Sequence, residues 1–234
     1  MKSLSCIMTI DSRHPIRVFL SQQSWFVELA PPHRQTLVES MLLHRAPRGE
    51  LLIRRGTPVD AWWGVLAGMA KLQTAAPDGR ISAFLSVPAG DWFGEGSVLN
   101  GGQWRYDVLA VRDTTLVGMP LAHFQHLHRT SLPFNHFLVA RLNLRLGQAM
   151  TAIEAGRLRS PEERVAQYLS MFCRSGVRRI TLSQEDLGHL AGLSRQTTNR
   201  VLKAFEAQGW IAIDFSRIEV LQPDALDTLL APRT

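Results

Sequence analysis

The chain has 234 residues, of which 45% are hydrophobic and 20% charged, and its formal net charge is +6. This composition is typical of a folded protein with one large domain or two smaller ones, and it excludes a disordered chain. The longest apolar run, residues 61–70, is about half of what a membrane-spanning helix needs, and Cys6 and Cys173 provide neither a disulfide framework nor metal-ligand spacing, so we expect a cytoplasmic protein without a membrane span.

Turn-forming residues recur at nearly constant intervals between residues 47 and 115. The glycines at 56, 68, 79, 90 and 101 are 12, 11, 11 and 11 residues apart, and strand-forming segments lie between them. Short strands at this spacing are typical of an antiparallel sandwich or barrel. The sequence therefore predicts an α+β protein whose first domain, residues 1–130, is an antiparallel, jelly-roll-like β-roll.

A long helix is predicted next, within a segment that spans residues 131–158. Ser131 is a suitable N-cap and Pro133 suits the first helical turn. Apolar residues then recur every three or four positions, at 134, 138, 142, 146, 149 and 153. The stripe must be buried either on the chain's own domain or against a second copy, and its length favours a homodimer through residues 134–156.

The last segment, residues 159–234, is predicted to be a second domain that contains a helix-turn-helix and a hairpin. Ser160 and Glu163 form a capping box at the start of its first helix, and Ser183 and Ser194 cap two further helices around the Gly192 turn. Residues 157–200 hold eight arginines against four carboxylates, a local charge of +4. Such a concentration of positive charge suits a phosphate-bearing partner.

The second helix of this unit separates into a polar face and an apolar face. The apolar face is Val201, Leu202 and Phe205. Arginine can donate two bonds to guanine, and glutamine or asparagine can pair with adenine. Hydroxyl groups near helix N-termini suit phosphate. The candidate DNA-binding residues are Arg195, Gln196, Asn199, Arg200 and Lys203 on the polar face, with Ser183, Ser194 and Thr197 near helix N-termini. The alternative is an ordinary solvated helix face, but the caps, the turn and the hairpin around it favour double-stranded DNA.

With these motifs in place, residues from about 20 to 222 resemble the Crp/Fnr transcription regulators. The helix-turn-helix centred on residues 194–200 is similar to that family's winged helix-turn-helix, residues 134–156 to its dimerisation helix, and the β-roll to its cyclic-nucleotide-type sensor. The resemblance implies a homodimer that binds a near-palindromic operator. It implies Arg195 and Arg200 as base-contacting residues, and RNA polymerase as a partner if the protein is an activator.

The resemblance also implies an effector pocket in the sensor domain. Gly94, Glu95 and Arg105 match residues that bind the ribose and the cyclic phosphate in nucleotide-binding members. Tyr106 and Asp107 follow where small residues are usual, and an aspartate repels phosphate. In the long helix, Ala149 and Met150 supply no polar contact to a base. Two alternatives stay open: a regulator that responds to cyclic AMP or cyclic GMP, and a vacant or differently used pocket in which Glu95 and Arg105 form a structural ion pair.

Other cofactors and an enzymatic role are not expected. Two cysteines cannot bind an iron–sulfur cluster, which needs four thiolates. His123, His126 and His128 have no acidic or cysteine ligand beside them in the sequence, so we expect no metal site there. The remote alternative is a jelly-roll metalloenzyme, whose metal would need histidines in the barrel. Residues 47–120 contain none.

Overall fold

The computed structural model describes residues 13–76, 81–174, 176–214 and 217–231. Its strands are β1 (Leu42–Ala46), β2 (Leu51–Ile53), β3 (Ala61–Ala67), β4 (Met69–Ala75), β5 (Ile81–Pro88), β6 (Trp92–Phe93), β7 (Asp107–Ala110), β8 (Thr114–Pro120), β9 (Arg179–Ile180), β10 (Ile211–Asp214) and β11 (Arg217–Val220). Its helices are α1 (His14–Ser21), α2 (Ser24–Val27), α3 (Pro31–Ser40), α4 (Glu95–Asn100), α5 (Leu121–Thr130), α6 (Leu132–Leu158), α7 (Pro161–Arg174), α8 (Gln184–Ala191), α9 (Arg195–Ala207) and α10 (Pro223–Leu230).

The predicted β-roll is confirmed as two four-stranded antiparallel sheets, with strand orders β1-β8-β3-β6 and β2-β7-β4-β5. The evenly spaced glycines make its turns: those at 56, 68, 90 and 101 have positive φ, a conformation that costs glycine little. At position 68 a Cβ would also lie 2.3 Å from the Asp113 carbonyl oxygen. The predicted turn at 77–79, and residues 215–216 of the turn in the C-terminal hairpin, lie outside the described residues.

The core of the β-roll is aromatic, and it includes the start of the long helix. Trp62 of β3 stacks on Trp92 of β6 with ring centroids 4.2 Å apart, and Phe134 of α6 meets Trp62 edge-on at 5.7 Å. All three side chains are fully buried. Trp63, the neighbour of Trp62 in β3, is also buried in this core. The first turn of α6 is thus part of the sensor domain's core.

The apolar stripe of α6 has two environments. Phe134 and Leu138 are buried against the β-roll, whereas Leu146 and Ile153 are 60% and 51% exposed. Ser131 caps the helix as predicted, since its Oγ accepts a hydrogen bond from the Phe134 N–H at 3.3 Å. The two alternatives for the stripe therefore apply to different turns: its N-terminal part covers the chain's own domain, and its C-terminal part faces solvent in the single chain.

The C-terminal domain has its own apolar core, which extends onto the sensor domain. Helices α7, α8 and α9 pack with the three-stranded sheet β10-β11-β9. Met69, Ala83 and Val111 from the β-roll join the same cluster. Lys71, which is 6% exposed in β4, forms an ion pair with Asp186 of α8. The two domains therefore touch through apolar side chains and one largely buried ion pair.

None of the helices in the described ranges has the length and hydropathy that crossing a bilayer would require.

Candidate DNA-binding surface and sensor site

The helix-turn-helix forms from α8, the turn at Gly192 and α9. Both helices begin at serine caps: Ser183 Oγ accepts from the Asp186 N–H at 3.0 Å, and Ser194 Oγ from the Thr197 N–H at 3.1 Å. Gly192 has φ 62°, the left-handed conformation that ends α8. The capped ends and the glycine turn confirm the two helices and the connection that the sequence predicted.

Close packing between the two helices depends on Gly188. A Cβ at this position would lie 2.8 Å from Thr198 Oγ1 and 3.1 Å from the Leu193 carbonyl oxygen. Thr198 is fully buried in turn, and its hydroxyl donates to the Ser194 carbonyl. The close approach of α9 to α8 at this point therefore depends on the absence of a side chain at Gly188.

The structure leaves the polar face of α9 in solvent. Arg195, Gln196, Arg200 and Lys203 are exposed, while the opposite face of the helix is buried in the domain core. Arg200 Nη2 lies 3.7 Å from Glu162 Oε1, with both side chains well exposed. A surface pair of this kind contributes roughly 0–1 kcal/mol, so Arg200 can leave it at little cost.

The other predicted DNA-binding residues have structural partners. The Asn199 amide donates to Gln184 Oε1 at 2.6 Å, which ties α9 to α8. Thr197 is hydrogen-bonded to Ser194, and Ser183 to Asp186. These residues therefore lie beside the exposed face and hold its helix in place, with Ser194 exposed at its N-terminus.

In the sensor domain, Glu95 begins α4 and is 4% exposed. The residue before it, Gly94, has φ 90°, and a Cβ there would lie 2.5 Å from the Trp104 ring. Glu95 Oε1 accepts a hydrogen bond from Arg141 Nε of α6 at 3.2 Å. The cation that pairs with Glu95 is thus Arg141 and not Arg105, which the structure places in solvent.

Arg141 and its neighbour Arg145 join α6 to the β-roll. Arg141 also donates to Asp91 and to the Trp92 carbonyl, and Arg145 Nη2 donates to Asp91 Oδ2 at 3.0 Å and to the same carbonyl at 2.8 Å. Burial alone would lower the pKa of Arg141, but the hydrogen bonds and charges of Asp91 and Glu95 outweigh it and raise that pKa. Asp91, Glu95, Arg141 and Arg145 therefore form a largely buried charge cluster, which we call the sensor cluster.

The remaining residues of the predicted effector pocket are dispersed. Tyr106 meets Phe84 and Trp104 edge-on at 5.4 and 5.9 Å, and burial raises its pKa to about 12. Asp107 Oδ1 accepts from the Arg55 N–H at 2.8 Å, so it stabilises a loop. Ala149 and Met150 are exposed on α6. The structure therefore brings Gly94, Glu95 and Tyr106 to the interior. It leaves Arg105, Ala149 and Met150 at the surface.

Sequence reasoning missed Asp91, Arg141 and Arg145. Positions 134, 138, 141 and 145 follow each other at steps of four, three and four, so the arginines continue the face that the β-roll buries. That spacing was the available signal.

No group of three or more His, Cys, Asp or Glu side chains in the described part of the chain is arranged to hold a metal ion. His123 is half-buried and His126 exposed, while His128 Nδ1 is 2.7 Å from Asn135 Oδ1 and its ring stacks on Phe124.

Comparison with known proteins agrees with this architecture. Residues 163–229 match the model of the Crp-like helix-turn-helix domain, and residues 43–131 match that of the cyclic nucleotide-binding domain. The Cyclic AMP receptor protein of Thermus thermophilus is 26% identical over 205 residues, which cover 87% of this chain and 95% of that protein. The CRP-like cAMP-activated global transcriptional regulator of Mycobacterium tuberculosis is 25% identical over 189 residues, which cover 77% of this chain and 84% of that one.

A solved structure shows the same fold. FixK2 from Bradyrhizobium japonicum superposes with a TM-score of 0.76 at 21% identity, over 83% of this chain and 99% of that one. The sandwich sensor, the long helix and the helix-turn-helix occur in the order of the two matched domain models. The chain belongs to the Crp/Fnr family and is a DNA-binding transcription regulator.

Proposed function

We propose that two copies of this chain pair through the exposed face of α6. Val139, Leu142, Leu146, Met150 and Ile153 are 39–60% exposed and are spaced by three or four residues. This spacing is that of the contact line between two helices in a coiled coil. The proposal keeps the three predicted segments: a sensor over residues 1–130, the pairing helix within 131–158 and the DNA-binding domain over 159–234.

The paired chains are proposed to bind a near-palindromic duplex, with each α9 in a major groove. The observation that carries this proposal is the exposed cationic face of α9, whose residues 195–205 include no carboxylate. Arg195 and Arg200 suit guanine and Gln196 suits adenine. Lys203, Ser194 and the neighbouring Thr197 and Ser183 suit phosphates. Asn199 is proposed to position α9 through Gln184. If the bound dimer activates transcription, RNA polymerase is its partner.

For the sensor domain we propose that the sensor cluster takes the place of a bound cyclic nucleotide. Glu95 already accepts a hydrogen bond from Arg141, and Arg105 is in solvent. The alternative is a response to cyclic AMP or cyclic GMP, which the match to the cyclic nucleotide-binding domain favours. Calorimetry with both nucleotides is expected to show no binding. Micromolar binding that Arg105→Ala abolishes would establish the alternative.

The experiment that tests DNA binding is selection of bound fragments from random duplexes, followed by titration of the selected duplex. We expect a near-palindromic consensus with half-sites about one helical turn apart, and two chains bound per duplex. Leu146→Asp places a charge on the proposed pairing face and is expected to abolish two-chain binding. Val18→Asp is the matched control, because Val18 is an exposed apolar residue of α1 at 45%. A random consensus, or one chain per duplex, would refute the proposal.

A further inference from the structure

A cleft of about 690 Å³ lies where the sensor domain, the long helix and the DNA-binding domain meet. Its walls come from β5, α6, α7 and α10. The volume falls within the roughly 300–1,000 Å³ of small-molecule sites. Because these four elements belong to the sensor domain, the long helix and the DNA-binding domain, a molecule in the cleft contacts the sensor domain and the DNA-binding domain at once.

The walls of the cleft combine apolar surface with positive charge. Phe84 of β5 and Leu144 of α6 are 47% and 50% exposed there. Arg159 and Arg174 also line it, and none of the described residues that line it carries a carboxylate. Each arginine has one acidic partner outside the lining: Glu154 lies 3.8 Å from Arg159, and Asp227 lies 3.0 Å from Arg174. A guanidinium has five N–H donors, so both keep donors for an anion.

Two polar atoms of residues that line the cleft, Ser86 Oγ and Gln167 Oε1, are buried without a hydrogen-bond partner among the described residues. Gln167 of α7 lines the cleft, and its Oε1 has no hydrogen-bond partner within the described ranges. A buried acceptor of this kind costs about 1–3 kcal/mol until a donor reaches it. A ligand N–H would satisfy this oxygen once the Gln167 side chain turns it toward the cleft.

The cleft is linked to the sensor cluster and is distinct from it. Gln148 lines the cleft and accepts from Arg145 Nη1 at 2.9 Å, and Phe84 meets the Tyr106 ring edge-on. Glu95, Asp91, Arg141 and Arg105 are not part of the lining. The space is therefore separate from the position where the family resemblance places a cyclic nucleotide.

We propose that this cleft binds a small aromatic anion that carries an N–H donor. Phe84 supplies an aromatic edge contact, Leu144 supplies apolar surface, and Arg159 and Arg174 supply charge for the anionic group. Binding itself does not depend on the proposed function. Only its effect on DNA affinity, through the shared walls of the two domains, rests on that proposal.

The test uses two fluorescent probes on the full chain without DNA. 1-Anilinonaphthalene-8-sulfonate has a flat apolar body, an N–H and one negative charge, and N-phenyl-1-naphthylamine is the same molecule without the sulfonate. We expect saturable binding of the sulfonate at one site per chain, at least tenfold tighter than binding of the neutral probe. Arg174→Gln is expected to remove most of this tenfold difference, and Leu144→Asp to weaken both probes.

Two matched controls keep the test decisive. Arg179 is 77% exposed in its side chain and pairs with Glu219 at 3.0 Å, much as Arg174 is 71% exposed and pairs with Asp227, so Arg179→Gln should leave both affinities unchanged. Val18→Asp controls for Leu144→Asp. Equal affinities of the two probes, or sulfonate binding that Arg174→Gln and Leu144→Asp leave unchanged, would overturn the proposal. So would sulfonate affinity that falls as chain concentration rises, since that would show a second copy in the cleft.

Discussion

The polar face of α9 and the sensor cluster both depend on a pair of arginines, and the two pairs have opposite surroundings. Arg195 and Arg200 project into solvent, and Arg200 makes a 3.7 Å surface contact with Glu162. Arg141 and Arg145 are 12% and 16% exposed in their side chains and bind carboxylates and a backbone carbonyl of the β-roll. An exposed ion pair can be broken at little cost in free energy, whereas a buried charge must keep its partners.

This difference separates the two regions by what they can bind. The α9 arginines have donors free for phosphates and base edges, so they suit an external polyanion. The sensor cluster already contains two carboxylates against two guanidiniums, so a further anion there would have to displace an internal one. The presence of arginines alone therefore does not identify an anion-binding site. An arginine is available to an external anion only where carboxylates of the protein do not already pair with it.

The largest expected effect is the loss of DNA affinity with salt. If six to ten phosphates are contacted, affinity should fall about 10³–10⁵-fold between 50 and 200 mM salt, because counterions are released on binding. The contribution of the sensor cluster to stability should change little over this range of salt, since buried ion pairs are screened less than exposed ones. Anisotropy titrations with labelled duplex, beside urea unfolding at the same salt concentrations, measure both. A flat salt response of DNA binding would contradict the role of the α9 face.

The next effect concerns the stability of the sensor domain. Arg141→Met leaves Glu95, which is 4% exposed, without its paired cation, and we expect it to lower the free energy of unfolding by about 3–5 kcal/mol. Urea denaturation measures this. Arg179→Met, which removes an exposed pair, should cost only about 0–1 kcal/mol. Adding Glu95→Gln to Arg141→Met should recover part of the loss, and no recovery would show that charge burial is not the cause.

A smaller effect is expected at a single α9 side chain. Arg200→Ala should weaken binding of the selected duplex by roughly 1–3 kcal/mol and relax the preference at one base pair. The free energy of unfolding of this variant should differ from that of the unchanged chain by less than about 0.5 kcal/mol, because Arg200 is exposed. Competition among single-base variants of the duplex measures the preference. If the preference is the same in both proteins, Arg200 does not contact a base.

The smallest effect is the acid response of the contact between the domains. Burial alone would raise the pKa of Asp186, but the hydrogen bonds from Lys71 and Ser183 outweigh it and hold that pKa below its usual value. Since the folded pKa is the lower one, Asp186 stabilises the fold above its unfolded pKa of about 3.9 and loses that contribution as pH falls through the folded value. Asparagine keeps an oxygen that can accept from the Lys71 ammonium, so Asp186→Asn should cost only on the order of 1 kcal/mol at pH 6. The difference from the unchanged chain should shrink by pH 3, and a constant difference in urea midpoints would contradict this.

Local patterns in the sequence predicted the elements that depend on neighbouring residues. The long helix was expected over 134–156 and extends from Leu132 to Leu158, and the capping box at Ser160 forms with Glu163 Oε2, which accepts from the Ser160 N–H at 2.6 Å. Caps and turn glycines act within four residues, so the sequence shows them directly.

Contacts between distant residues could not be predicted in the same way. Glu95 and Arg141 are 46 positions apart, and Lys71 and Asp186 are 115 apart. Periodicity assigns charged residues to the solvent and gave no reason to select Arg141, whereas the effector pocket implied by the resemblance offered the nearby Arg105 as a partner for Glu95. Only the packing of α6 against the β-roll shows that the arginine which reaches Glu95 comes from the long helix.

The two environments of α6 couple the packing of the sensor-domain core to the position of the proposed pairing face. The helix is unbroken for 27 residues, about 40 Å, with its first turns in the aromatic core and its later turns on the proposed pairing face. If a substitution at Phe134 or Leu138 tilts the first turns of this helix, we expect its far end to move as well. Substitutions in the sensor-domain core are therefore expected to alter pairing of the two chains, although the substituted residues are not part of the pairing face.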